Sequence, residues 1–449
     1  MISYDDMIEL LDSFNTRDRR YTLLRLKEEL GDQLPAEEPD VNMHFHSFFS
    51  YNAEEWSPTR IAWESRKEGL YAAGLCDFDG LDGLEEFIHA GHLLGLRTAV
   101  HLETRVFLNE YAQVDINSPG EPGVTYIMGA GFARLPEAGT PQARQLAEFK
   151  ANSHQRNRAL IQRINAGLPE IALDYELHVL PDTPGGYATE RHIISAYLHH
   201  SKDVLQDPVS TTDFWARILG KDTDETIELL SDTATMEETI RGKLAKRGGI
   251  GYEAPSQSSF PPADTFIRWA SSCQAIPMIT WLDGTSAGER DARAMLECLT
   301  AKGAAAVNII PDRNWNIADP ASRAAKIANL NTFVQAADAM HLPVNIGTEM
   351  NKAGLPFCDD LECDALRPHK EVFMRGARIM VGQTLLSRYA NFAYTGAAAA
   401  IEYPAAAGRN RFFEAVGARP AMTLEQAQAL EEMGHEKALA WFHDAVAKA

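Results

Sequence analysis

VNMHFHSFF, residues 41–49, is a short apolar run with histidine at alternate positions, and its reading decides the fold. The pattern reads as a β-strand with polar groups at its C-terminal end. Side chains alternate across a strand, so His44 and His46 project to the same face. Two imidazoles joined by a carboxylate form a common ligand set for zinc, iron or manganese. A His-x-His pair alone is equally compatible with strand-end histidines satisfied by backbone groups, so the surrounding chain has to decide.

Upstream, Met7, Ile8, Leu10, Leu11 and Phe14, then Leu23, Leu24, Leu26 and Leu30, recur at helical spacing, and QLPAEEPD breaks the pattern. Downstream, strand and helix alternate. SPTRIAWESRKEGL opens with Ser57 as N-cap and Pro58 at the first helical position. YAAGLCDFD is a strand, GLEEFIHAGHLLG a helix stopped by Gly95, and LRTAVHLETRVF a strand. Residues 201–262 are polar and helical with Gly-rich and Ser/Pro-rich exits, an insertion or small helical subdomain. Alternation resumes with IPMITWL, SAGERDARAMLECLTAKG, AAAVNIIP, ASRAAKIANLNTFVQAADAMH and LPVNIGTEM, and LEQAQALEEMGHEKALAWFHDAVAKA closes the chain as one helix. The expected organisation is a helical segment over 1–37, a barrel over 38–395 containing the insertion, and a helical extension over 396–449. Such succession implies parallel strands covered by helices, with chemistry on the loops at the strand C-termini.

Polar residues gather at those ends. His44 and His46 fall late in the first strand, Asp77 and Asp79 follow the second, and Glu103 ends the third. Asp283 follows IPMITWL, while Glu349 and Asn351 end LPVNIG. The competing structural readings are a Glu103 that pairs with Arg97 or Arg105, Asp77 and Asp79 bonded within a DFDG turn, and His192 as a plain helix N-terminal residue.

HFHSFFS, GLCDFDGLDGLEEF, RTAVHLETRVF, ATERHIISAYL, IPMITWLDG and IGTEMN occur in an order that resembles the PHP (polymerase and histidinol phosphatase) family of metal-dependent phosphoesterases. HFHSFFS is similar to the family's His-x-His-(Ser/Thr)-x-x-Ser opening, and RTAVHLETRVF to the strand whose glutamate bridges two metals. The resemblance covers roughly residues 40–355. It implies an α/β, PHP-type distorted (β/α)7 barrel with a helical insertion and terminal helices. It also implies metal ligation by His44, His46, Glu103 and Glu349, the last standing where the family has aspartate, with His192 as ligand of a second metal.

Departures from the family pattern concentrate on its third metal. Tyr51 or Asn52, Phe78 and Asn351 stand where that metal's ligands would be, Trp281 replaces another histidine, and Tyr126 a ligand of the second metal. One or two divalent ions (Zn, Mn or Fe) are therefore expected rather than three, and Phe78 with Trp281 would form an apolar wall in the vacated space. The implied activity is hydrolysis of a small anionic metabolite, a phosphoester foremost, by a metal-bound hydroxide, with Asp77 or Asp283 managing the proton. Two alternatives stay open: amidohydrolase-like, lyase or isomerase chemistry on one metal, and an inert barrel that binds a ligand. In the segment after the last strand, Lys352 or Arg367 could meet an anionic substrate.

The bulk composition excludes other classes. A net charge of −21 over 449 residues argues against nucleic acid as partner. Cys76, Cys273, Cys298, Cys358 and Cys363 are scattered and fit neither a disulfide framework nor a zinc ribbon. The acidic, amphipathic N-terminus lacks the features of a secretory signal and no apolar run is long enough to span a bilayer, so a cytoplasmic protein with a small-molecule partner is expected. Oligomeric state is not legible.

Overall fold

A computed structural model describes residues 3–255 and 259–448; part of the Ser/Pro-rich exit, residues 256–258, lies outside them. Seven strands follow one another in sheet order: β1 Glu38–Phe45, β2 Leu70–Phe78, β3 Arg97–Phe107, β4 Val124–Ala130, β5 Ile276–Trp281, β6 Ala306–Ile309 and β7 Val344–Ile346. Nearly every strand residue is buried, as expected of strands with helices on one face and a filled barrel on the other. Beyond β7 the chain meets β1 again. The Glu349 N–H donates to the His44 carbonyl at 2.8 Å, and the His46 N–H donates to the Glu349 carbonyl at 3.0 Å. The sheet is thereby nearly closed into an α/β barrel.

Closure brings β7 hard against β1. A Cβ on Gly347 would lie 2.3 Å from Asn42 Oδ1 and 2.5 Å from the His44 nitrogen, so only glycine fits there. Glu349 and Met350 then take left-handed backbone conformations at φ 66° and 52°. Neither residue adopts that region without cost, and such outliers cluster at functional sites.

The barrel is not all-parallel. β4, part of TYIMGAGF and absent from the strand–helix alternation read in the sequence, runs antiparallel to both β3 and β5. The reason lies in the connection: between β3 and β4 there is only the short 3-10 turn Asn109–Tyr111, and without a crossover helix the chain must return antiparallel.

Helical structure packed away from the barrel core is not confined to residues 201–262. The helix Pro141–Gly167 has 27 residues and runs about 40 Å. Its Phe149 belongs to the barrel core, but Ile161 and Ile164 belong to a second core that extends to Ala245 and includes Tyr197, Trp215 and Ile240. Polar composition marked only the latter part of this unit, because the amphipathic first helix resembles an ordinary barrel helix. At the C-terminus the single expected helix is two, Leu424–Met433 and His435–Ala447, broken by Gly434 at φ 79°.

The helix Lys370–Ala390 packs against β7 and the barrel strands β1–β3. Its contact with β7 needs glycine: a Cβ on Gly376 would sit 1.8 Å from the Val344 carbonyl oxygen. Gly376→Ala is expected to destabilise the fold by about 1–3 kcal/mol through overpacking, measured as a lowered urea midpoint at unchanged m-value. No helix among the described residues is long and apolar enough to cross a membrane.

Candidate metal centre

β1 delivers His44 and His46 to the barrel interior, β3 delivers Glu103, and the strained turn after β7 delivers Glu349. All four are buried, and one potential ligand atom from each lies within 4.8 Å of the others. The Nε2 atoms of His44 and His46 stand 3.6 Å and 3.5 Å from Glu103 Oε2. All three atoms are buried without a hydrogen-bond partner. Orphaned buried polar atoms are costly, and three converging on one point are what a metal ion would satisfy. Two imidazoles with two carboxylates suit zinc, manganese or iron(II).

The electrostatics agree. Burial raises the Glu103 carboxyl, but the two imidazoles outweigh burial and hold it well below the usual carboxylate range. Burial lowers His44, yet Glu103 and Glu349 carry it above its ordinary value. The interior thus favours a positive charge beside Glu103. His101, deeper on β3, is pushed down to about 3 by burial and by His44, and stays neutral. Arg97 pairs with Glu37 and Arg105 with Glu121, both at 2.8 Å, so neither competes for Glu103.

A layer behind the ligands fixes their orientation. The Nδ1 of His46 lies 3.2 Å from Ser50 Oγ, and the Ser50 hydroxyl donates to Asp77 Oδ1 at 2.7 Å. With Ser50 donating to Asp77, its oxygen accepts from His46 Nδ1–H, which leaves the Nε2 lone pair for a metal. The Nδ1 of His44 meets the Asn308 amide at 3.2 Å, and Asn345 holds Asn308 at 2.9 Å.

Both acids expected to manage the proton have partners close by. Asp77 accepts from the Ser47 N–H, the Ser47 hydroxyl and the Ser50 hydroxyl, each at 2.7 Å. Through Ser50 it supports His46, and burial holds its carboxyl above the ordinary value despite these donors. Asp283 accepts from the Thr285 N–H and hydroxyl at 2.9 and 2.5 Å and pairs with Lys326 at 2.9 Å. Burial raises its carboxyl, but these partners outweigh burial and hold it below the ordinary value, a poor match for a base near neutral pH. Asp283→Asn is expected to leave metal content unchanged and to cost about 1 kcal/mol. A carboxyl held low stabilises above its unfolded pKa, so the urea-denaturation difference should shrink as pH falls below about 4.

His192 does not join the four-residue group. Its Nδ1 accepts from the Thr189 N–H at 3.1 Å, its ring packs edge-on against Tyr51 at 5.1 Å, and burial pushes it down to about 4. Phe78 stacks on the His46 ring at 4.5 Å, forming one side of the expected apolar wall. Trp281 does not contribute, because it stacks at 4.5 Å on Phe333 of the helix Pro320–Ala339. Arg367 is engaged by Glu362 and Asp364.

Several residues at or around the centre escaped the sequence reading. Ser47 and Ser50 lie inside the quoted motif, Ser47 as a partner of Asp77 and Ser50 as a partner of both Asp77 and His46. Asn308 and Arg313 lie on β6 and the short helix after it, where the sequence pattern picks out no polar residue. Arg313 Nη2 pairs with Glu349 Oε2 at 2.5 Å.

No protein-family model matches the chain, and no curated protein matches it. Among solved structures, the fold resembles that of an amidohydrolase from Chromobacterium violaceum at 16% identity and TM-score 0.50, over 74% of this chain and 95% of that one. A protein from Bifidobacterium adolescentis described as a metal-dependent phosphoesterase aligns at 16% identity and TM-score 0.45, over 76% of this chain and 98% of that one. The first likeness shows the barrel fold, and the buried His/Glu group is one that could bind a metal.

Proposed function

We propose that the chain is a metal-dependent hydrolase of the PHP type, acting on a small anionic metabolite with a phosphoester as the foremost class. The observation that carries this reading is the convergence of three partnerless buried atoms, His44 Nε2, His46 Nε2 and Glu103 Oε2, with Glu349 completing the set. In this reading His44, His46, Glu103 and Glu349 hold one divalent ion. When bound, that ion supplies Lewis acidity toward a polar substrate atom or water.

The remaining roles belong to the chain itself. Ser50 and Asp77 hold His46 in the tautomer that presents Nε2. Phe78, stacked on His46, gives the substrate an apolar flank and excludes water from that side of the centre. A site inside a barrel supports a small-molecule partner.

A second reading, amidohydrolase-like or lyase/isomerase chemistry on a single metal, draws support from Phe78 and Tyr126, which stand where the PHP family has further ligands, their rings 6.3 Å apart. A substrate panel on protein loaded with Zn²⁺, Mn²⁺ or Fe²⁺ separates the readings. Metal-dependent turnover of a chromogenic phosphate monoester is the expected result. Turnover confined to amide substrates would transfer the assignment to the second reading. Full metal occupancy without any turnover would leave a ligand-binding barrel.

A further inference from the structure

Arg313 is a cation paired directly with a member of the metal group, Glu349. It sits on the turn Asp312–Trp315 directly after β6. That turn is anchored from below: the buried Asn314 amide donates to the Leu282 carbonyl at 3.0 Å and the Ile310 carbonyl at 3.1 Å. The guanidinium is therefore delivered from a fixed backbone, yet its side chain remains 42% exposed. Its charge faces Glu349 first, then Tyr126 and Glu103.

Two other arginines share this neighbourhood without being available. Arg105 is held by Glu121 at 2.8 Å and Arg241 by Glu190 at 2.7 Å. Arg313 differs, because Glu349, its ion-pair partner, is itself a member of the metal group.

Charge bookkeeping then has a consequence. A divalent ion among His44, His46, Glu103 and Glu349 neutralises both carboxylates. The Asp77 carboxyl is turned to three donors from Ser47 and Ser50. Arg313 then shares its carboxylate partner, Glu349, with the metal, and a half-exposed guanidinium so placed can draw a further anion.

We propose that Arg313 is the second cation of this centre, binding one oxygen of a tetrahedral phosphate group whose other oxygens face the metal. The proposal rests on the hydrolase reading above and deepens it by naming what holds the anionic substrate. It also accounts for a centre in which His192 and Tyr126 supply no second metal site: a fixed guanidinium does the electrostatic work of a second ion. Arginine suits this role better than lysine, because its planar fork can give two N–H bonds to one phosphate.

The test measures inorganic phosphate binding to zinc-loaded protein by calorimetry, beside zinc content per chain, in wild type, Arg313→Gln and Arg313→Lys. Expected are unchanged zinc in all three, at least tenfold weaker phosphate binding in Arg313→Gln, and an intermediate loss in Arg313→Lys. Because the side chain is partly exposed, neither variant should shift the thermal midpoint appreciably. Phosphate binding that is equal in Arg313→Gln and wild type, or absent in zinc-loaded wild type, would overturn the proposal. So would loss of zinc in Arg313→Gln, which would make Arg313 a support for Glu349 instead. Wild-type protein that takes up no metal would defeat the hydrolase reading itself, and elemental analysis reports that outcome separately.

Discussion

Glu103→Gln is expected to empty the metal centre while leaving the fold intact. Glutamine keeps the size and shape of the side chain but removes the negative charge that faces both imidazoles at 3.5–3.6 Å. Removing one partner of a buried charged group costs about 3–5 kcal/mol, which corresponds to roughly two to four decades of metal affinity. Thermal denaturation with and without added Zn²⁺ reads the effect. Wild type should melt higher with zinc, because a ligand that binds only the native state stabilises it by mass action. The variant should melt at the same temperature in both conditions. An equal zinc-induced shift in both proteins would show that Glu103 is not a ligand.

The second large effect is expected at a residue that touches no metal. Asp77→Asn keeps the shape but weakens the three bonds from Ser47 and Ser50, and with them the bond that sets the His46 ring. Loss of such outer support lowers metal affinity by about 10–100-fold, and the weakened charge-assisted bonds cost about 1.5–3 kcal/mol of stability. A general base would behave differently: its asparagine variant would bind metal as tightly as wild type and lose turnover alone. Competition against a chromogenic zinc chelator distinguishes the two, and a wild-type zinc affinity in Asp77→Asn would contradict the supporting role.

How much of this was legible in the sequence depended on periodicity. The alternation in HFH fixes the common face of His44 and His46, and Glu349 follows the last strand as read, whereas Glu103 lies within β3, four residues before its end. What the sequence hid was set by tertiary context. β4 was missed because antiparallel return requires knowing that no helix fills the preceding connection. Trp281 was placed in the site because a strand end has two faces, and only the packing of Phe333 shows that it turns outward. Asp77 and Asp283 looked like free acids, because one-dimensional spacing does not show which hydroxyls and amines consume a carboxylate. His192 depends on how the helical subdomain sits, and no local signal encodes that. Arg313 follows a strand, but a lone arginine carries no ligand spacing that would mark it in the sequence.

The most direct measurement is metal content per chain by elemental analysis, after loading with Zn²⁺, Mn²⁺ or Fe²⁺ and removal of excess, on wild type and on His44→Ala with His46→Ala. One ion per chain in wild type and almost none in the double variant is the expected result. Less than about a tenth of an ion per chain in wild type under all three loadings would contradict a metal centre at this site.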